Sequence, residues 1–367
     1  MIYLDSASTT PVSDVVLNEM LPYLKDIYGN PNSIHTSGIE ARKAVDKARE
    51  LVAEAINASP NQIIFTSGGS EANNLAIKGA DVECGVFSKM EHTSSVRAMN
   101  CLPFALETGG SIRDFLTECL SVNRVGIPGI AWKMFVNNEL GLVSPVYDIG
   151  KLLMNQDNLL FGTDCVQALG FEHIDVQEMK CDFLTISSHK IHGPKGVGAL
   201  YVRDRALISD PLISGGSNQE FGIRGGTENV PGIVGFGKAC EIASENRVQN
   251  RERILYLKEM FTDLLISHGI NFNVNCVDES KILSVMLPGI DAETFVALMS
   301  SMGVAISSGS ACKNNESEPN EALIAYGLSY EEARSTVRIS FMESLTEDDI
   351  IKAAEIFSSR VQLVLQC

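Results

Sequence analysis

Residues 183–196 read Phe-Leu-Thr-Ile-Ser-Ser-His-Lys-Ile-His-Gly-Pro-Lys-Gly, an apolar strand that ends in two serines, a histidine and a lysine. A lysine at the end of a buried strand is partly desolvated; this lowers its pKa and frees the neutral amine to form a Schiff base with an aldehyde. Lys190 is therefore the candidate anchor for an aldehyde cofactor. Lys195 competes for that role, but between Pro194 and Gly196 it reads as an ordinary solvated turn residue. Upstream, residues 159–167 (Leu-Leu-Phe-Gly-Thr-Asp-Cys-Val-Gln) form a second apolar strand that delivers Asp164 at its carboxyl end, where ligands of open α/β sheets collect.

A carboxylate against a pyridinium nitrogen, together with a lysine on an aldehyde, is the combination that pyridoxal 5'-phosphate (PLP) requires. Taken singly, Asp164 is more often a turn or cap residue. A phosphate end is also present. Residues 63–75 read as strand, glycine turn and helix, so Gly68, Gly69 and Ser70 would offer backbone amides and a hydroxyl at a helix N-terminus. The segment is neither a Walker loop nor a GxGxxG dinucleotide turn, and Ser70 alone would be no more than a helix cap.

One thiol stands apart. From Val304 the chain passes from apolar residues into Ser-Ser-Gly-Ser-Ala-Cys312-Lys-Asn-Asn-Glu-Ser-Glu-Pro, which has no hydrophobic period and reads as an exposed loop. A thiol there, beside Lys313, is suited to act as a thiolate nucleophile. The other eight cysteines are expected to be buried hydrophobes.

Taken in order, these segments resemble the class V aminotransferase family of fold-type I PLP enzymes, and most closely its cysteine desulfurases of the NifS/IscS type. The likeness runs nearly end to end. It is carried by residues 4–11 (Leu-Asp-Ser-Ala-Ser-Thr-Thr-Pro), Gly29-Asn-Pro-Asn-Ser33 with His35, Phe65-Thr-Ser-Gly-Gly-Ser-Glu71, Glu91-His92 and Val136-Asn-Asn-Glu139. It continues through Asp164 with Gln167, Ser187-Ser-His-Lys190, Arg224-Gly-Gly-Thr-Glu-Asn229 and Ser307-Ser-Gly-Ser-Ala-Cys312.

The resemblance implies a role for each matching position. Lys190 would carry PLP, Asp164 would pair with the ring nitrogen, His92 would stack on the ring and move protons, and Asn138 and Gln167 would address its phenolic oxygen and edge. The phosphate would meet Gly69, Ser70, Ser187 and His189, with Thr227 reaching in from a neighbouring subunit, which implies a homodimer. Arg338 would take the carboxylate of the substrate L-cysteine in a bidentate contact. Cys312 would attack the substrate sulfur and become a persulfide, leaving L-alanine, and would pass the sulfur to an acceptor protein. Without the family pattern, His92 reads as a surface or capping histidine, Thr227 as a loop residue, and Arg338 as a strand arginine reaching solvent.

The sequence departs from the family in several places. Residues 93–129 are short and carry little recognisable pattern, Ser188 replaces a usual glycine or alanine, and Phe341-Met-Glu-Ser344 stands where a glycine-containing turn is usual. The chain also ends soon after its last helix, without the tail that many such desulfurases use to dock an iron-sulfur scaffold, so tRNA or DNA thio-modification remains open beside iron-sulfur assembly. Two other readings stay open at this level: a selenocysteine lyase or another enzyme of the same family, and an inactive scaffold of a sulfur relay.

Composition agrees with a globular enzyme. At 367 residues the chain is expected to form two domains; 45% of it is hydrophobic and 20% charged, a balance unlike that of disordered chains. A formal net charge of -17 argues against direct nucleic-acid or anionic-membrane binding. Nine cysteines without a CxxC spacing argue against a zinc site or a paired secreted framework, and so for a reducing compartment. With no leader-like or membrane-length apolar run, the expectation is cytoplasmic, with no resident metal.

The expected fold is α/β: a large PLP-binding domain of residues 14–250 with a mostly parallel sheet, and a smaller α+β domain of residues 1–13 and 251–367 that carries the Cys312 loop. Helices are expected to open near Ser13, over 38–57 and 247–267, over 291–302, and from Thr346, with strands at 282–287 and around Val337.

Overall fold

The computed structural model describes residues 1–216, 219–308 and 320–366. Its chain divides into two compact units. The larger comprises residues 10–135 and 144–246, and the smaller residues 1–9, 136–143 and 247–367.

In the larger unit a seven-stranded sheet runs in the order Ile63–Thr66, Gly198–Val202, Phe183–Ser187, Leu159–Asp164, Gly129–Trp132, Cys84–Ser88 and Phe104–Thr108. Gly198–Val202 is antiparallel to both its neighbours and every other pairing is parallel. Central strands such as Phe183–Ser187 are buried at every position, as expected where helices cover both faces of a parallel sheet. Ile64, Leu75, Phe87, Met99, Ile130, Trp132, Phe183 and Leu200 make a continuous core on one of those faces. Trp132 lies in register with Gly162, and a Cβ on that glycine would meet the indole at 2.2 Å, so the absent side chain is what lets the ring lie across the neighbouring strand.

The helix Thr36–Glu54 begins two residues before its expected start because His35 caps it, its Nδ1 accepting from the Gly38 amide. The helix Val230–Ser267 is far longer than the expected 247–267. Gly232, Gly235 and Gly237 read as breakers, yet a Cβ at Gly237 would come within 2.7 Å of the Ala48 backbone. Gly235, against Met20, and Gly237, against Ala48, are there for close helix contact. Residues 93–129, nearly patternless as sequence, hold the helix Thr93–Met99, the strand Phe104–Thr108 and the helix Ile112–Val125. That strand is an edge with mostly exposed side chains, so it carries no clear alternation.

The smaller unit holds a three-stranded antiparallel sheet, Thr336–Ser340, Ile282–Met286 and Asn273–Val274, and a parallel pair formed by Ile2–Tyr3 with Val304–Ala305. The helices Ala292–Ser301 and Glu347–Leu365 start at the caps Asp291 and Thr346, both with side-chain bonds to the third helical amide. Phe261 meets Phe341 and Phe357 edge to face, and Phe357 meets Phe295, in the core of this unit.

The division differs from the expected boundaries in one substantial respect. Residues 136–143 belong with the chain ends, tied there by the Val143 amide on Asp278 Oδ2 at 2.7 Å. Among the described residues no helix is long and apolar enough to cross a membrane.

Candidate active site

Strand register gathers the larger unit's candidate residues at one end of the sheet's strands. Thr66 pairs with Gly198, Gly198 with Ser187, and Thr185 with Asp164, so the strand ends that lead to the glycine turn, to Lys190 and to Gln167 lie side by side. Lys190 closes a single 3-10 turn, Ser188–Lys190, directly after the buried strand, and is half-buried. The turn is pinned from outside: the His189 carbonyl accepts from both the amide and the hydroxyl of Thr10, at 2.9 and 3.0 Å. Ser188 is fully buried, with its Oγ 2.0 Å from where a Cβ on Gly193 would stand, so its extra hydroxyl is accommodated by a glycine. Lys195 is exposed, as its turn predicts.

Asp164 is 3% exposed. Its Oδ1 accepts from the Val166 amide at 2.9 Å and its Oδ2 from the Asn73 side-chain amide at 2.8 Å. Asn73 also donates to Ser94 Oγ at 3.0 Å, and Ser94 Oγ lies 2.7 Å from Nδ1 of His92. A continuous polar chain thus joins His92 to Asp164. His92 is exposed and caps the helix Thr93–Met99, its Nδ1 accepting from the Ser94 amide, which puts the proton of a neutral ring on Nε2. Asn73 and Ser94 were not singled out from sequence. Asn73 lies four residues after Gly69 on one helical face, a spacing that would have pointed to it.

The glycine turn has the expected form of strand, turn and helix Gly69–Gly79. Gly68 has φ 150°, open to glycine but not to other residues. A Cβ at Gly69 would meet Val166 Cγ2 at 2.8 Å, with Thr185 Cγ2 at 3.6 Å and Ser187 Cβ at 3.9 Å. The turn therefore packs against the Asp164 strand end and Ser187. Ser187 Oγ and Thr185 Oγ1 are buried without a hydrogen-bond partner. An orphaned hydroxyl beside free helix-terminal amides suits a phosphate, and the residues present fit PLP. Ser70 is exposed, His189 half-buried and Gln167 buried. Thr227 is exposed, on a segment held by Arg224 to Glu71 and by Glu228 to Arg42.

Beneath His92 the interior holds an acid and a base. Glu91 accepts from the Met134 amide at 2.8 Å, and its other oxygen stands 3.9 Å from Lys133 Nζ, both side chains almost wholly out of water. Burial pushes the Glu91 carboxyl well above its usual range, helped by the charge of Asp164 and opposed by Lys133; burial pushes Lys133 down.

The smaller unit carries Arg338 and Asn138. Arg338 is 6% exposed rather than reaching solvent. Its Nη1 donates to the Asn138 carbonyl and to Glu139 Oε1, and its Nη2 to Asp5 Oδ1 and Ser8 Oγ. All four terminal protons are committed, and two carboxylates neutralise the fork. A substrate carboxylate meeting it in bidentate fashion has to displace one of them. The Asn138 side chain donates to Glu139 Oε1 at 2.6 Å. Ser307 and Arg338 exchange backbone hydrogen bonds at 3.0 and 2.7 Å, so the segment entering the cysteine stretch is anchored on the arginine's own strand. Cys312 itself lies outside the described residues.

Of the seven described cysteines six are buried and Cys101 is exposed, which corrects the expectation that every cysteine but Cys312 is buried. Burial raises the pKa of all six buried thiols, Cys84, Cys119, Cys165, Cys181, Cys240 and Cys276, so none is a thiolate at neutral pH.

The profile of the family Aminotransferase class-V matches residues 2–352. A protein of Clostridium botulinum named cysteine desulfurase IscS is 37% identical, over 97% of this chain and 93% of its own length, and one of Methanosarcina thermophila with the same name is 35% identical, over 98% and 92%. Among solved structures, a NifS-like protein superposes with a TM-score of 0.88 at 30% identity over 99% of both chains. A structure titled SspA in complex with cysteine superposes with a TM-score of 0.78 at 33% identity, covering 94% of this chain and all of that one. The chain belongs to the class V aminotransferase family, and within it the similarity is to the cysteine desulfurases.

Proposed function

We propose that the protein is a PLP-dependent cysteine desulfurase that converts L-cysteine to L-alanine and receives the sulfur on Cys312 as a persulfide. The observation that carries this reading is the grouping at one end of the sheet's strands of a buried, doubly hydrogen-bonded Asp164, the Lys190 turn, and a glycine turn packed beside Ser187, whose hydroxyl is orphaned. These are the three anchor points of PLP: ring nitrogen, aldehyde and phosphate. PLP, when bound, supplies an electron sink for the substrate's α-carbon.

The rest is done by the chain's own groups. Lys190 Nζ would hold the cofactor's aldehyde, and its amine is the base for the substrate's α-proton. Asp164, its oxygens fixed by Asn73 and Val166, would pair with the ring nitrogen of the bound cofactor. His92, with Nδ1 committed to Ser94, presents Nε2 for stacking and proton transfer. Arg338 exchanges Asp5 or Glu139 for the substrate carboxylate. The Cys312 thiolate attacks the substrate sulfur; the S–S bond forms as the Cβ–S bond breaks, its electron pair stays on Cβ, and protonation of Cβ together with return of the proton to Cα gives alanine. Thr227 and the exposed face around it serve a second copy of the chain, and the persulfide is passed to an acceptor protein. Nine cysteines with this thiol chemistry fit a reducing compartment.

Purified protein is expected to show a visible absorption band that Lys190→Ala loses, and to release alanine from L-cysteine. A colourless wild-type chain that takes up no PLP would end this reading.

A further inference from the structure

The phosphate end of the site has an acidic neighbour. Glu71 is the third residue of the helix Gly69–Gly79, and its Oε2 accepts from the Ser67 amide at 2.7 Å, so the carboxylate folds back onto the backbone entering the glycine turn. A glutamate in a first helical turn is stabilised by the same field that attracts a phosphate there, so the two anions oppose one another at one helix end. Burial works against ionisation of Glu71, yet hydrogen bonds from Arg224 and Ser67 hold its carboxyl below the usual glutamate range.

Arg224 supplies the compensating charge. Its Nε donates to Glu71 Oε1 at 2.8 Å and its Nη2 lies 3.4 Å from Oε2. The other acids that act on Arg224 are committed elsewhere: Glu220 is held by Arg49 in a two-pronged pair, and Glu228 by Arg42 and Asn32. Arg224 is thus the cation that faces Glu71, and Glu71 the acid nearest the turn among those it contacts.

We propose that Arg224 is a charge-neutralising positioning residue for the phosphate turn, cancelling Glu71 so that a dianion binds where the carboxylate would otherwise repel it; this rests on the cofactor reading above. Glu71 keeps a use of its own, fixing Ser67 and so the turn at Gly68. A purely mechanical tie loses function when either end is cut. Charge cancellation gives opposite signs: losing the arginine weakens anion binding, and losing the glutamate does not.

The test is PLP uptake by the full-length chain, followed by visible absorbance and by competition from inorganic phosphate, for wild type, Arg224→Gln, Glu71→Gln and the double variant at low ionic strength. Arg224→Gln should bind PLP on the order of tenfold more weakly, an effect that shrinks with added salt. Glu71→Gln should bind at least as tightly as wild type, and the double variant should return to within about twofold of it. Equal weakening by both single variants, unchanged affinity in Arg224→Gln, or no recovery in the double variant would overturn the proposal. Absence of PLP uptake by wild type would instead remove the cofactor reading beneath it.

Discussion

The side-chain amide of Asn73 donates to Asp164 Oδ2 at 2.8 Å where both residues are almost wholly shielded from water. A buried carboxylate needs such donors to replace its lost hydration, and Asp164 has this one and the Val166 amide. Asn73→Ala leaves one oxygen short of its donor and should cost about 1–3 kcal/mol of stability, read from denaturant midpoints. It should also slow alanine formation, because the acid proposed to face the cofactor's ring nitrogen is no longer fixed.

Arg338 makes a sharper kinetic prediction. With Nη1 and Nη2 engaged by Glu139, Asp5, Ser8 and the Asn138 carbonyl, its fork is already in a carboxylate-binding arrangement. Arg338→Lys keeps the charge and loses the fork, so KM for L-cysteine should rise about tenfold or more with a smaller change in kcat. Glu139→Gln removes one competitor and should shift KM the other way. An unchanged KM in Arg338→Lys would remove that residue from the substrate.

The buried pair Glu91 and Lys133 tests interior electrostatics beside His92. Glu91→Gln leaves the buried Lys133 without its counter-charge, whereas Lys133→Met leaves an acid that burial already drives towards its neutral form, so Glu91→Gln should destabilise the more, and the double variant should cost clearly less than the sum. A double-mutant cycle by chemical denaturation checks this. Strict additivity would show that the two side chains do not interact.

Lys281 predicts a pH dependence. Burial pushes its ammonium down to about 8 from 10.5. The unfolded chain therefore binds this proton more tightly than the folded one, and stability rises with pH between those values. Lys281→Met should be more stable than wild type at pH 7, by about 1–3 kcal/mol, with the gap narrowing as pH climbs from about 8 towards 10.5. Melting curves across that range provide the measurement.

What was legible in the sequence was what depends on local chemistry. The strand ends at Asp164 and Ser187, the turn at Gly68, and the caps Ser13, Asp291 and Thr346 stand where residue types placed them, because apolar runs and short polar caps act within a few residues. What was missed depends on tertiary partners. Gly232, Gly235 and Gly237 look like helix breakers until Met20 and Ala48 are seen pressed against the last two. The edge strand Phe104–Thr108 has no buried alternation to reveal it. Residues 136–143 join the chain ends through contacts such as Val143 with Asp278, 135 positions apart. Asn73 and Ser94 link Asp164 to His92 only once the helix from Gly69 is docked, and the two carboxylates on Arg338 come from 333 and 199 positions away in the sequence.

The central claim is that sulfur leaves L-cysteine for one particular thiol. Six described cysteines are buried with raised pKa values, and Cys101 is exposed on the helix-end turn after Met99. Incubation of the full-length protein with L-cysteine, followed by peptide mass spectrometry without reduction, should find one added sulfur atom on the peptide bearing Cys312, and none in Cys312→Ala. The extra sulfur on Cys101 or another cysteine, with Cys312 unmodified, would contradict the account.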